Sequence, residues 1–194
     1  MHAPPSHIAP PDAVITIDIV ETLAPADLND LCDATDAAVE AGGGFGWIAP
    51  PAREVMERYW KGVTVVPERH LLLARMDGIV CGAVQLVEPS RHNEAQAFSA
   101  QLLAAFIAPW ARGRGAGRQL TETAEKLAID MGYKVLQLDV RDTQAAAIHL
   151  YESMGYKRWG MNPAYAQVDG KIISGYYYSK AIAPFFRPAA ARPD

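Results

Sequence analysis

The sequence predicts one α/β domain in which helices sandwich a single mixed sheet. Three observations predict it. Alternating β-branched runs interleave with amphipathic helical segments along nearly the whole chain. Two Asp-Gly pairs, Asp77-Gly78 and Asp169-Gly170, each stand before or between apolar runs, where hairpin turns belong. No Ser/Gly/Pro-rich linker divides the chain into two cores. At 194 residues with 50% apolar and 21% charged side chains, the composition excludes a wholly disordered chain. A chain of this size buries roughly 70% of its unfolded surface, enough for a core without disulfide or metal staples.

In order, residues 1–12 hold four of the fourteen prolines and read as a loose tail, as do residues 184–194. The domain is expected over 13–183. Stretch 14–20, VITIDIV, alternates and predicts a strand. Leu28, Leu31, Cys32, Thr35 and Val39 fall at helical spacing, and that helix stops at Gly42-Gly43-Gly44. Pro50-Pro51 opens a second helix through Val55, Tyr59 and Trp60. Runs 70–74 and 79–87 form a hairpin about the first Asp-Gly, and 96–108 reads as a strand ended by Pro109. Leu120, Ala124, Leu127, Ala128 and Met131 mark one face of a third helix. Val135 to Val140 alternates as a strand, and Ala147, Leu150, Tyr151 and Met154 mark a fourth helix. Both of these helices end in Met-Gly-Tyr-Lys, so Gly132 and Gly155 suit the left-handed position just past a helix. The expected order is β-α-α-β-β-β-α-β-α-β-β. Strands 158–162 and 172–180 offer a candidate homodimer edge.

Charge and cysteines narrow the function. A net charge of −4 argues against a nucleic-acid binder. Cys32 and Cys81 form no CxxC and read as small buried thiols. The N-terminus lacks the basic start and apolar run of a secretory signal. The longest apolar stretch, 102–111, is about half of what a bilayer requires. A soluble, cytoplasmic protein with no membrane contact is expected. No set of histidines and carboxylates has metal-ligand spacing, so no metal is expected; His92, Glu94 and His149 are reserve acid–base candidates.

The chemistry concentrates at Arg112-Gly113-Arg114-Gly115-Ala116-Gly117, between a buried strand and a helix. Backbone N–H groups and a helix N-terminus there make an anion site, and Arg112, Arg114 and Arg118 suit several phosphates. The plainer alternative is a tight turn with a solvated basic rim. A P-loop string is absent. The dinucleotide fingerprint fails where its third glycine falls on Arg118, although Asp139 lies at a tolerable distance for a nicotinamide reader.

These residues resemble the GNAT superfamily of acyl-CoA-dependent N-acetyltransferases. The superfamily's Gln/Arg-x-x-Gly-x-Gly/Ala signature fits 112–117 at every defined position. Its downstream Asn-x-x-Ala-x-x-x-Tyr appears as Gln144-x-x-Ala147-x-x-x-Tyr151, the amide one methylene longer, followed by Gly155-Tyr156. The likeness extends to the tabtoxin-resistance-like acetyltransferases through Tyr59-Trp60, Leu138-Asp139, Pro163-x-Tyr165 and Tyr177-Tyr178-Ser179-Lys180. The resemblance implies a mostly antiparallel sheet and acetyl-CoA as co-substrate. It places the pyrophosphate on Gly113, Arg114, Gly115, Ala116 and Gly117, beside Arg112 and Arg118. The pantetheine arm would lie along Phe106, Ile107 and Ala108, near Gln144 and Ala147. Tyr151 is the implied general acid and Asp139 the implied base. Gln101 stands where many relatives carry a glutamate, and as an amide it would hold a water. The expected reaction is direct transfer of acetyl to a primary amine of a small amino-acid-like or antibiotic-like molecule, with Phe45, Trp47, Tyr59 and Trp60 as candidate pocket walls. The alternatives are a non-catalytic acyl-CoA-binding module, a protein or peptide amine acetyltransferase and, more distantly, a nicotinamide-dependent oxidoreductase.

Overall fold

Strands β1 (Ile15–Val20), β2 (Arg69–Met76), β3 (Ile79–Val87) and β4 (Ser99–Ile107) form an antiparallel meander. Helices α1 (Pro25–Glu40) and α2 (Arg53–Val65) are inserted after β1. Then come α3 (Ala116–Asp130), β5 (Val135–Arg141), α4 (Ala145–Ser153), β6 (Lys157–Val168) and β7 (Lys171–Ala181). The element order is the one expected. This computed structural model describes residues 13–43 and 46–184, so the tail expectations over 1–12 and 185–194, and Phe45, lie outside the described residues. Among the described residues no helix is long and apolar enough to cross a membrane.

Local chemistry explains the turns. Asp77 and Gly78 take φ of 52° and 86°, and Asp169 and Gly170 take 49° and 76°. These are the positive angles that a two-residue hairpin matched to strand twist requires. Gly132 and Gly155 end α3 and α4 at φ of 90° and 89° and pass the chain straight to β5 and β6.

The sheet order is β1-β2-β3-β4-β5-β7-β6. Only β4 and β5 run parallel, which is the geometry a crossover through α3 produces. The expected dimer edge is half corrected by this order. β7 is bonded on one side to β5 and on the other to β6, so of these two strands β6 is the one at an edge of the sheet. Trp159 and Met161 stand exposed on it.

Helices cover the two faces separately. On one, α3 and α4 bury Leu120, Ala124, Ala128, Tyr151 and Met154 against Leu72, Leu102, Leu136 and Leu138. On the other, Leu31, Val39, Met56 and Trp60 of α1 and α2 pack on Leu71, Leu73, Ala83 and Phe106. Trp60 is fully buried, and its indole N–H donates to Thr35 Oγ1 at 3.2 Å, so the burial of its polar atom is compensated.

An irregularity in the β3–β4 pairing sets the course of β4. Ala83 faces Phe106 and Gln85 faces Leu103, so two steps of β3 oppose three of β4. The extra residue is a β-bulge, and Ala104 within it takes φ of 50°. Gly82, beside the bulge, permits the close approach. A Cβ there would lie 2.4 Å from the Phe106 carbonyl oxygen and 2.5 Å from Ile107 Cδ1.

Gly82→Ala should therefore cost about 2–4 kcal/mol, because backbone rather than a flexible side chain must yield. Gly62→Ala, in α2 with nothing within 4 Å of the added methyl, should instead gain about 0.5–1 kcal/mol. Urea unfolding of both variants checks the contrast.

Candidate active site

β4 and β5 pair only through Ser99–Val135, Ala100–Leu136 and Gln101–Gln137. Beyond that point the bulge turns β4 away, and the strands part around a cavity of about 600 Å³. Its walls come from Leu102 to Ala105 of β4, Leu138 to Arg141 of β5, Gln144, Ala147 and Tyr151 around α4, Tyr165 of β6, and Trp47, Ile48 and Tyr59. A gap inside a sheet leaves backbone N–H and C=O groups facing each other with no strand between them, an arrangement ready for an extended ligand.

Tyr151 and Asp139 share this cavity, as the sequence expects. Tyr151 projects from α4 toward the sheet, is nearly fully buried, and packs edge-on against Tyr156. Burial, and then the negative charge of Asp139, push its phenol up to about 12. Asp139 sits two residues before the end of β5 and is exposed into the cleft.

The sequence assigned no role to the group that holds Asp139. The Tyr165 hydroxyl donates to Asp139 Oδ2. Burial first, and this bond second, raise the Tyr165 phenol well above its ordinary range. Gly175 makes room for the ring, since a Cβ there would stand 2.2 Å from Tyr165 Cγ. The Pro163-x-Tyr165 string was visible, but its reach across β7 to Asp139 depends on the shifted register at Asn162/Ala166.

At the far end of the cleft, the basic loop takes the expected form. Gly113 and Gly115 adopt φ of 76° and 82°, and Gly115 caps α3 without any side-chain hydrogen bond. The first helical bond is Gln119 N–H to Gly115 C=O, so the N–H groups of Ala116, Gly117 and Arg118 precede the ladder. Gly117 keeps the helix start close to its neighbours, since a Cβ there would lie 3.3 Å from Leu150 Cδ2. Donors and positive dipole thus converge on one spot, which fits a pyrophosphate. The arginines are partly engaged already: Arg112 Nε donates to Ile107 O at 3.1 Å, and Arg118 Nη2 to Ser153 Oγ at 2.8 Å.

Other expected residues sit differently. The Ala108 N–H is bonded to Cys81 O on β3, the Phe106 side chain is buried against Trp60 of α2, the Ile107 carbonyl accepts from Arg112, and none of the three lines the cavity. The parted edge begins earlier, at Leu102 to Ala105, and Ala104's bulge has no sequence signal because alanine is not a left-handed residue. Gln144 lines the cleft, but its Nε2 donates to Gly42 O at 2.6 Å, tying α4 to the loop after α1. Trp60 is core rather than pocket wall, whereas Trp47 and Tyr59 do line the cleft. Gln101 opens into a second cavity of about 200 Å³ that shares Leu103, Leu138 and Asp139 with the first. His92, Glu94 and His149 are exposed and line neither cavity. Cys32 and Cys81 are buried free thiols. Among the described residues no group of three or more His, Cys, Asp or Glu is placed to hold a metal.

The Asp139 carboxyl group contributes to the raised pKa of two phenols, so Asp139→Asn should bring the pKa values of both Tyr151 and Tyr165 down toward the ordinary tyrosine value. A spectrophotometric titration of tyrosinate absorbance should show two phenols ionising at lower pH than in the parent protein.

Comparison with known proteins agrees with this fold. Residues 35–156 match the model of the acetyltransferase (GNAT) family. An uncharacterized N-acetyltransferase in the hisH-hisA intergenic region of Azospirillum brasilense is 59% identical over 130 residues, covering 67% of this chain and 77% of the relative. The fold superposes on yncA from Salmonella typhimurium, solved with its cofactor acetyl-CoA, with a TM-score of 0.72 and 17% identity over 91% of this chain and 99% of that one. An N-acetyltransferase from Staphylococcus aureus Mu50 gives a TM-score of 0.75 and 16% identity over 88% of this chain and 99% of its own. The family model spans more than half of the sequence and encloses the basic loop, the parted strands and Tyr151, so the chain belongs to the GNAT family of acetyl-CoA-dependent N-acetyltransferases.

Proposed function

We propose that this protein transfers acetyl from acetyl-CoA directly to the primary amine of a small molecule, in the cleft between β4 and β5. The observation that carries the reading is one cavity that brings a buried, protonated phenol and an exposed carboxylate together at the point where the strands part. Acetyl-CoA, when bound, supplies an electrophilic thioester carbon and a thiolate leaving group.

The chain's own residues then divide the work. The N–H groups of 113–117 and the start of α3 hold the pyrophosphate, assisted by Arg112, Arg114 and Arg118. The β4 edge from Leu102 through Ile107 receives the pantetheine arm as an added strand, with Gln144 and Ala147 on the opposite wall. Backbone donors near the bulge stabilise negative charge that develops on the thioester oxygen. Asp139, steadied by Tyr165, attracts the ammonium form of the acceptor and receives or relays the proton it loses. The amine nitrogen bonds to the carbonyl carbon, the carbon–sulfur bond breaks, and Tyr151 donates its proton to the departing sulfur. A cavity of about 600 Å³ accommodates the acetyl end of the donor together with a compact acceptor.

Acetyl-CoA at 100 times its Kd should stabilise the protein by about 2.7 kcal/mol, a shift of several degrees in Tm, while NADPH leaves it unchanged. Tyr151→Phe should retain that shift and lose roughly 100-fold in kcat with an accepted amine. Because Tyr151 stays protonated until about pH 12, the parent's rate should rise with pH as the amine deprotonates. No descending limb is expected up to about pH 10. Thermal shifts without turnover of any amine, or a Tyr151→Phe variant of full activity, would refute the assignment.

A further inference from the structure

The cleft's α2 wall carries a hydrogen-bond chain whose direction is fixed by chemistry alone. Arg69 Nη1 lies 2.9 Å from Gln85 Oε1, and Gln85 Nε2 lies 2.8 Å from the Tyr59 hydroxyl. Arginine has five donors and no acceptor, so the Gln85 amide must turn its oxygen toward Arg69. Its NH2 must then face Tyr59, and the Tyr59 oxygen must accept. Gln85 is completely buried, on β3 opposite Leu103 and beside the β4 bulge, so its amide has no solvent through which to escape that orientation. The phenol's one proton is therefore directed away from Gln85. Tyr59 lines the cleft, and Gln85 is its hydroxyl's partner among the described residues.

We infer that Tyr59 is a recognition residue that donates a hydrogen bond to an oxygen atom of the acceptor molecule, with Gln85 and Arg69 as the residues that aim it. This rests on the small-molecule reading and names one chemical feature of its substrate: a carbonyl, carboxylate or phosphoryl oxygen carried on the same molecule as the amine. The acceptor rather than the donor substrate is assigned to Tyr59 by position. α2 packs on one face of the sheet with α1, whereas α3, whose N-terminus forms the anion cradle, packs on the other. Across the cleft from α2 stand Asp139 and Tyr165, where the ammonium is held. An acceptor with its amine at Asp139 and an oxygen toward Tyr59 spans the cavity.

The chain can be reversed without removing a partner. In Gln85→Glu, the carboxylate pairs with Arg69 and its second oxygen can only accept, so the Tyr59 proton turns inward to it and is withdrawn from the cleft. Acetylation is measured by CoA thiol release with matched amines: leucine against isoamylamine, phenylalanine against phenethylamine, and 2-aminoethylphosphonate against n-propylamine. The parent enzyme should favour the oxygen-bearing member by about tenfold in kcat/KM, the range of a single directed hydrogen bond. Tyr59→Phe and Gln85→Glu should each erase the preference through acceptor KM and leave the Kd for acetyl-CoA unchanged. The double variant should lose nothing more, because both changes remove the same bond. Tyr59→Phe alone carries the test should Gln85→Glu fail to fold. Equal use of the bare amines by the parent, a preference surviving in either variant, or weakened acetyl-CoA binding in Tyr59→Phe would overturn the inference and leave the small-molecule reading intact. An enzyme that binds acetyl-CoA yet turns over no amine of the set would overturn the small-molecule reading itself, and this subsite with it.

Discussion

Past Gln101 and Gln137, two neighbouring strands lie in one sheet and make no bonds to each other. This is the constraint on which the remaining features depend. A sheet interior normally satisfies every backbone group by pairing, and a gap in it is costly unless something else supplies donors and acceptors. The molecule answers in part with Arg112, whose Nε bonds to the Ile107 carbonyl. For the rest it presents an opening shaped for an extended ligand with amide groups of its own.

The gap is held open from both sides. On β4 the bulge at Ala104 bends the strand, and Gly82 on β3 has no Cβ to block the displaced backbone. On β5, strong antiparallel pairing to β7 over the whole length from Val135 to Arg141 keeps the strand from following β4. An L-residue in left-handed conformation costs about 1–2 kcal/mol, so the bulge persists because the packing of Phe106 under Trp60 determines where β4 must go next. Stability in the second core thus maintains strain at the site.

Electrostatic features of the cleft are graded along its length. The cradle end is positive, with an uncapped helix N-terminus and three arginines near it. The middle is negative, where Asp139 faces Tyr151 and accepts a bond from Tyr165. A polyanionic ligand and a cationic one would therefore be drawn to different places along it. Both phenols are protonated at neutral pH, as an ordinary tyrosine is, and burial widens that margin, so each is a donor.

Sequence alone determined the order of the elements, both Asp-Gly hairpins, the helix ends at Gly132 and Gly155, and the basic glycine loop. These are local properties: φ preference, spacing on a helix face and turn chemistry act within a few residues. It also brought Tyr151 and Asp139 to attention, through the GNAT resemblance at Gln144, Ala147, Tyr151 and Leu138-Asp139. Only the tertiary structure decided that Ala104 would bulge, that Tyr165 would reach Asp139 across Gly175, and that Gln144 would spend its amide on Gly42. The Tyr59–Gln85–Arg69 chain joins α2, β3 and β2 and was equally invisible. Each of these joins residues far apart in the chain or depends on a register shift, and a side chain's hydrogen-bond direction is fixed only once its partner from another element is in place.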